Sequence, residues 1–203
     1  TAESIAKFHL GFAPDKFDWL LSRAKGTPFT PAVLERIGLV LKRDNGPGYF
    51  DRFRGRVMFS IRDIERRPIA MGGRILPEFA KENTAKYINS PETPLFSKSY
   101  QLYGLDAARD AITKQRIAVV VEGYTDCIMA HQEEQANVVA VLGTALGERN
   151  VTLLKRLADS IVLVLDGDEA GQRRTNEGLE LFIAQQVELR ILTLPENLDP
   201  CDF

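Results

Sequence analysis

The sequence is poor in cysteine and histidine, and it contains no long apolar run. Its 203 residues include two cysteines, Cys127 and Cys201, which lie far apart and form no CxxC pair. This spacing argues against a zinc module within the chain and suits a reducing cytosol. No apolar segment approaches the roughly 20 residues that span a membrane, so we expect a cytoplasmic protein with no membrane partner. Because 44% of the residues are hydrophobic, we expect a globular fold.

The net charge of −2 conceals two halves of opposite sign. Residues 1–114 contain 19 Lys and Arg against 13 Asp and Glu, and residues 115–203 contain 7 against 15. The halves therefore carry formal charges of +6 and −8. A basic half beside an acidic half is consistent with one part that binds phosphates and another that binds metal cations, although two ordinary solvated surfaces would give the same counts.

The acidic half alternates apolar, β-branched runs with segments of helical spacing. The runs that predict strands are "RIAVVVE", "NVVAVLG", "SIVLVLD" and "VELRILTLP", and the segments that predict helices are "YTDCIMAHQEEQ", "ERNVTLLKRLADS" and "GQRRTNEGLELFIAQQ". This alternation predicts an α/β fold with a central, mostly parallel sheet flanked by helices. The basic half predicts an α+β subdomain, with a helix in "PFTPAVLERIGLV", strands in "RVMFSIRD" and "RPIAMGGRIL", and loops before a last helix. We expect domains at 1–114 and 115–203.

Carboxylates follow three of the four predicted strands. Glu122 ends the first strand and Asp126 follows on the next helix, whereas Asp166 and Asp168 follow the third strand. Asp199 and Asp202 follow the fourth strand, in "LPENLDPCDF". Because parallel strands end at a common edge, these acids should gather there and suit a hard divalent cation such as Mg²⁺ or Mn²⁺.

The stretch "DGDEAGQRR" from residue 166 allows other interpretations. Its spacing imitates a calcium-binding loop, but Ala170 occupies a ligand position and a β-branched run precedes the loop. Asp166 could also be a phosphatase-like nucleophile, or the acids could simply cap a helix that begins near Glu169. Glu122 at another strand end favours the metal site over simple capping.

Four motifs in the acidic half, "VVVEGYTD", "VLGTAL", "VLDGDEAG" and "LPENLDP", resemble the toprim module in the form found in the bacterial DnaG-type primases. Upstream, "YFDRFRGRVMFSIRD", "KYINSPET", "LFSK" and "LYGLDAARDAI" resemble the rest of the RNA polymerase domain of that family. The resemblance covers nearly the whole chain. It implies that short RNA primers are made from ribonucleoside triphosphates on a single-stranded DNA template for DNA replication.

The resemblance also implies roles for the acids. It makes Glu122, Asp166 and Asp168 the catalytic residues and places Asp126, Asp199 and Asp202 with them as metal ligands for Mg²⁺ or Mn²⁺. One position departs from the family pattern of Asp-Pro-Asp, because Cys201 follows Pro200 and the acid comes one residue later.

The basic half supplies candidates for binding nucleic acid and nucleotides. "DRFRGRVMFSIR" alternates Arg52, Arg54 and Arg56, which a continuous strand would place on one face to follow a phosphate backbone. Phe50 could stack on bases, whereas Phe53 is better interpreted as a core residue. With the family pattern added, the candidate binding residues are Arg54, Arg56, Arg62, Arg74, Lys86, Tyr87, Asn89 and Lys98.

Two functions from other classes remain open at this point. One is a different toprim enzyme, such as a topoisomerase or nuclease, which would need a cleavage nucleophile; the other is a non-catalytic module that binds single-stranded DNA. The resemblance implies further partners, the replicative helicase and single-strand binding protein, through domains that we do not expect within these 203 residues. For the same reason we expect no zinc site here.

Overall fold

The computed structural model describes residues 1–143, 145–165 and 187–194. It divides into two compact units. The N-terminal unit comprises residues 2–61 and 68–97, and the C-terminal unit comprises Thr1, residues 62–67 and the described residues from 98 onward. Within the described part of the chain, no helix combines the length and the apolar character needed to cross a bilayer.

The N-terminal unit is built around an antiparallel sheet, with short helices before and between its strands. Its elements are α1 (Ala2–Phe8), β1 (Gly11–Ala13), α2 (Trp19–Ala24), α3 (Pro31–Arg36), β2 (Val40–Lys42), β3 (Tyr49–Asp51), β4 (Arg56–Arg62), β5 (Pro68–Ile75), a 3₁₀ turn (Pro77–Phe79) and β6 (Tyr87–Asn89). The main sheet has the order β1-β4-β5-β6, and β2 pairs with β3 in a separate hairpin. The unit is therefore α+β, as the sequence predicts for the basic half.

Helix α3 shows how local sequence sets these boundaries. The Thr30 side chain accepts a hydrogen bond from the Val33 N–H at 3.3 Å, and Pro31 occupies the first helical position. Gly38, with φ at +75°, ends the helical segment in a conformation that glycine adopts without strain. The predicted helix is thus shorter than "PFTPAVLERIGLV", because Val40 begins strand β2.

The C-terminal unit contains the predicted parallel sheet. Its elements are α4 (Leu105–Gln115), β7 (Ile117–Val121), α5 (Tyr124–Gln132), β8 (Val138–Ala140), α6 (Glu148–Lys155), β9 (Ser160–Leu165) and β10 (Glu188–Thr193). The sheet order is β10-β9-β7-β8, and every neighbouring pair is parallel. This arrangement confirms the predicted α/β class. The predicted helix in "GQRRTNEGLELFIAQQ" lies outside the described residues.

The core of this unit lies between the sheet and its helices. Ala118, Val120 and Val139 on the strands and Ile112 and Leu154 on helices α4 and α6 are all buried in one apolar cluster. Continuous burial explains why these strands are apolar throughout, as is usual for parallel sheets. Helix α4 packs into this cluster and belongs to the C-terminal unit, whereas the boundary expected from the sequence, between residues 114 and 115, places it in the N-terminal domain.

Candidate catalytic and nucleic-acid-binding sites

Glu122 occupies the turn between strand β7 and helix α5. The strand is buried along most of its length, and Glu122 directly after it is half-buried. The next residue, Gly123, donates its N–H to Asp126 Oδ2 at 2.9 Å, which caps the first turn of α5. A Cβ at position 123 would stand 2.7 Å from the same oxygen, so any larger residue here would push the capping carboxylate aside. The capped turn therefore fixes the backbone on which Glu122 is carried.

The side chains behind this turn are tightly packed. The rings of Tyr103 and Tyr124 meet edge to face, with centroids 4.6 Å apart. Tyr103 also pairs with Ala140 of β8 through two backbone hydrogen bonds, and burial raises the pKa of its hydroxyl. Cys127 is completely buried, and its thiol contacts the Val138 carbonyl. Tyr124 is only 5% exposed, which argues against its acting as a nucleophile that cleaves DNA.

Two of the six predicted metal ligands are described, and they differ in surroundings. Asp126 is buried and its carboxylate caps α5, whereas Glu122 stands at the end of its strand. The oxygen chemistry of Glu122 suits a hard divalent cation. No group of three His, Cys, Asp or Glu side chains that could hold a metal occurs among the described residues. A direct metal contact by Asp126 remains a prediction. The hydrogen bond by which the Asp126 carboxylate caps α5 argues against such a contact.

The other four predicted ligands, Asp166, Asp168, Asp199 and Asp202, lie outside the described residues, as does Cys201. What the structure does describe is the sheet that precedes Asp166. Strands β7 and β9 pair in parallel, with Val120 opposite Leu163, so both strands end at the same edge. That Asp166 and Asp168 converge on Glu122 at this edge remains a prediction.

The arginine row expected on one strand face does not exist. Residues 52–55 lie between strands β3 and β4, and Gly55 has a φ of +59° that breaks the extended backbone. Arg52 donates to the Asn89 carbonyl at 2.9 Å. The prediction of a continuous strand through Arg52, Arg54 and Arg56 was therefore wrong.

Arg56 and Arg62 are buried, and both have partners within the protein. Arg56 donates to the carbonyls of Gly73, Ala85 and Lys86 at 3.0 to 3.3 Å, and burial lowers the pKa of its guanidinium. Arg62, which belongs to the C-terminal unit, lies 2.7 Å from Asp106. Binding of nucleic acid by either residue remains a prediction, and these internal contacts weigh against it.

Four of the other predicted binding residues lie on or directly beside one strand pair. Arg74 of β5 is directly opposite Tyr87 of β6, and its guanidinium lies 5.7 Å from the centre of the Tyr87 ring. The adjacent Lys86 is exposed, and Asn89 ends the same strand half-buried. The fold therefore gathers Arg74, Lys86, Tyr87 and Asn89, whereas Lys98 belongs to the C-terminal unit, where it is half-buried.

A second aromatic and basic group surrounds Arg54. Its guanidinium lies 4.4 Å from the ring centre of Phe17 and 5.3 Å from that of Phe50, and it donates to the Asp51 carbonyl. The Asp51 carboxylate in turn accepts from the Leu20 N–H at 2.6 Å, which fixes the segment after Phe17. Phe17 is 60% exposed, and no local pattern points to it, since its partners Phe50 and Arg54 are more than 30 residues away.

Comparison with known proteins shows the family to which this geometry belongs. Residues 119–203 match a family model described as toprim-like. Residues 1–109 match the model described as the N-terminal domain of the DNA primase catalytic core, and this match covers more than half of the chain. The chain therefore belongs to the DNA primase catalytic-core family, which confirms the resemblance seen in its motifs.

Individual relatives agree with this assignment. A DNA primase from Deinococcus radiodurans is 43% identical over 201 residues, which are 98% of this chain and 34% of that protein. A DNA primase domain from Pseudomonas aeruginosa has a TM-score of 0.91 at 41% identity, over 99% of this chain and 62% of that structure. A DnaG primase catalytic domain bound to single-stranded DNA has a TM-score of 0.88 at 38% identity, over 99% of this chain and 64% of that one. The chain thus spans about a third of the length of the curated relatives.

Proposed function

We propose that this chain is the part of a bacterial DnaG-type primase that makes short RNA primers on single-stranded DNA for replication. The observation that carries the proposal is the capped turn that places Glu122 at the carboxyl end of β7, in a chain of the primase catalytic-core family. The substrates are ribonucleoside triphosphates and a DNA template, and the setting is the cytoplasm. For the whole enzyme, the proposal extends to a replicative helicase and single-strand binding protein as partners.

The reaction is nucleotidyl transfer. The 3′-hydroxyl of the growing primer attacks the α-phosphorus of a nucleoside triphosphate, loses its proton, and displaces pyrophosphate. Mg²⁺ or Mn²⁺, when bound by the acidic residues, would supply neutralisation of the charge that develops on the phosphoryl oxygens. Glu122 either contributes a ligand oxygen or accepts the hydroxyl proton, and both roles need a carboxylate that its backbone holds in place.

Asp126 acts in this proposal mainly by capping α5 and so fixing the turn that carries Glu122. Asp166, Asp168, Asp199 and Asp202 complete the set of oxygen ligands. With carboxylates doing the binding and positioning, no protein nucleophile is required, and the burial of Tyr124 agrees with this.

The N-terminal unit binds the template strand in the proposal. Exposed Lys86 and half-buried Arg74 supply positive charge for phosphates, and Tyr87 offers an aromatic face beside them. The group of Phe17, Phe50 and Arg54 offers a second surface on which bases can stack without sequence preference. The solved relative bound to single-stranded DNA supports this role.

Primer synthesis from labelled ribonucleotides on a single-stranded template tests the proposal. Glu122→Gln should lower the rate by about 10²-fold or more, as is typical when a group that stabilises developing charge is lost. The matched control is Glu133→Gln, because Glu133 is an exposed carboxylate at the end of the same helix, and it should change the rate less than about twofold. Addition of EDTA should abolish synthesis by the parent chain.

Two results would contradict the proposal. The first is a folded Glu122→Gln chain that keeps near-normal synthesis with Mg²⁺ or Mn²⁺. The second is a parent chain that binds single-stranded DNA but makes no primer under any metal condition, which would favour the non-catalytic binding module. Relaxation of supercoiled DNA by the parent chain would instead favour the topoisomerase alternative.

A further inference from the structure

A groove of about 450 Å³ follows helix α6 on the C-terminal unit, and the proposed function does not use it. We call it the α6 groove. Its lining residues are Tyr100, Glu148, Arg149, Thr152, Leu153 and Arg156. The groove is of a size that small-molecule sites commonly have, roughly 300–1,000 Å³.

One wall of the groove is a stacked pair of side chains. The Arg149 guanidinium lies 3.6 Å from the centre of the Tyr100 ring, and Tyr100 is 37% exposed. Such a stack holds the flat guanidinium in one orientation while its N–H groups remain able to bind a ligand. No ion pair of Arg149 or Arg156 is found within residues 1–143, 145–165 and 187–194. Both charges can therefore bind an outside anion.

The charge of helix α6 is unusual for its surroundings. Residues 115–203 contain only 7 Lys and Arg against 15 Asp and Glu. Three of those seven cations, Arg149, Lys155 and Arg156, lie within eight residues of one another on or beside α6. Cations spread evenly along this segment would only balance its acidic charge. Their concentration on one helix instead indicates a local site for an anionic ligand.

The chemistry of the lining residues indicates which anion. Two guanidiniums can bind phosphate oxygens through paired hydrogen bonds. The Tyr100 ring can pack against a base. Glu148, which is also in the groove, repels phosphate at its own end but can accept hydrogen bonds from ribose hydroxyls. Thr152 donates its hydroxyl to the Glu148 carbonyl at 2.9 Å and keeps that end of the groove in place.

From these features we infer that the α6 groove is an accessory site for a phosphorylated nucleotide unit, separate from the carboxylates at Glu122. The unit belongs either to a free nucleoside polyphosphate or to a nucleic-acid strand, which share phosphate, ribose and base. The inference goes beyond the proposed function, because binding here needs neither Glu122 nor a metal ion.

Binding measured by fluorescence anisotropy in EDTA tests the inference, since chelation suppresses binding that depends on the acidic residues. The probes are a fluorescent ATP and a labelled single-stranded hexanucleotide, each titrated with the full 203-residue chain. Arg149→Gln and Arg156→Gln should each weaken binding of whichever probe occupies the α6 groove by about 5- to 20-fold, as expected for loss of a charge-assisted contact. Arg149→Lys keeps the positive charge but loses the flat group that stacks on Tyr100. It should change the logarithm of the affinity by about half as much as Arg149→Gln does.

The chain offers a matched control in Lys155→Gln. Lys155 is exposed and lies on the same helix, next to Arg156, but it does not line the groove. Its replacement removes the same charge and should weaken binding less than about twofold at physiological salt, because distant charges are screened. Because binding is measured in EDTA and without primer synthesis, a failure of this inference can be told apart from a failure of the proposed function.

Each outcome has a defined meaning. Selective loss of ATP binding in the Arg149 and Arg156 variants supports the site with a free nucleotide as its source, and selective loss of hexanucleotide binding supports it with a strand as its source. If Lys155→Gln weakens binding as much as Arg149→Gln, the groove is only part of a diffuse basic field and the inference is overturned. Unchanged affinity of both probes in variants with a normal circular dichroism spectrum overturns it as well.

Discussion

Replacing Arg62 by methionine should destabilise the chain strongly at neutral pH, by about 3–5 kcal/mol, because it leaves the buried carboxylate of Asp106 without its ion-pair partner. Arg62 and Asp106 lie 2.7 Å apart, with side chains only 7% and 3% exposed, so water cannot take the place of the lost partner. At an effective dielectric constant of 20, a pair at this distance attracts with roughly 6 kcal/mol before desolvation is subtracted. The net cost should therefore be several times that of an exposed pair.

The dependence on pH gives this prediction a second signature. Burial raises the pKa of Asp106 above its ordinary value, and the Arg62 charge opposes that rise. Without Arg62 the native pKa should rise further. A group with a raised native pKa binds its proton more tightly when folded, so its contribution to stability is largest below the unfolded pKa and is lost as the pH rises through the native pKa. The deficit of Arg62→Met should accordingly shrink as the pH is lowered from 7 towards 4.

Urea unfolding followed by circular dichroism at pH 7, 5.5 and 4 measures the effect. The double variant Arg62→Met with Asp106→Leu should recover most of the lost stability, since it leaves no unpaired charge. Arg67→Met is the control, because Arg67 lies in the turn that follows β4 and its own side chain is 69% exposed, so water can replace it beside Asp63 and little change is expected. A single variant within 1 kcal/mol of the parent at pH 7, or a double variant no more stable than the single one, would refute the reasoning.

Three further predictions concern the candidate sites. Gly123→Ala should lower both the melting temperature and the rate of primer synthesis, because the added Cβ displaces the Asp126 cap; thermal unfolding and the synthesis assay check this. Asp166→Asn should abolish synthesis, while the melting temperature without metal holds or rises as repulsion between carboxylates is relieved. Lys86→Ala should weaken binding of single-stranded DNA, and it should make the slope of log affinity against log salt concentration less steep by about 0.7. Arg56→Ala should chiefly lower the stability of the fold. Anisotropy across a salt series measures the first effect, and melting curves measure the second.

Much of the C-terminal unit could be predicted because its local sequence and its tertiary surroundings agree. Strands β7 and β9 are apolar, largely β-branched runs that are buried along most of their described length, and a parallel sheet is the environment such runs require. The position of Glu122 followed from the rule that side chains beyond the carboxyl ends of parallel strands share an edge. Asp126 is predicted as a metal ligand from its place in the motif, but the hydrogen bond that it accepts from the Gly123 N–H could not be read from residue type alone.

The N-terminal unit was harder to predict because its strands are short and depend on their partners. Strand β6 has only three residues and lies in a segment that reads as loop; its pairing with β5 supplies the order that local propensity lacks. The break at Gly55 was equally hidden, since alternating arginines and a glycine are compatible with a strand until the φ of +59° is known. Both the formation of strand β6 and the break in the backbone at Gly55 therefore depend on tertiary structure and not on local sequence.

The same dependence on tertiary structure explains why the basic residues are harder than the carboxylates to assign to a role in binding or in the fold. Lys86 and Arg62 look alike in sequence as basic residues within family motifs, yet one is exposed and the other is buried against Asp106, 44 positions later in the chain. Arginine can occupy either setting because its fork of N–H groups binds backbone carbonyls or a carboxylate as readily as phosphate. A stability loss in Arg62→Met with no change in the salt dependence of DNA binding would assign Arg62 to the fold. A changed salt dependence at unaltered stability would return it to the binding surface that the sequence suggested.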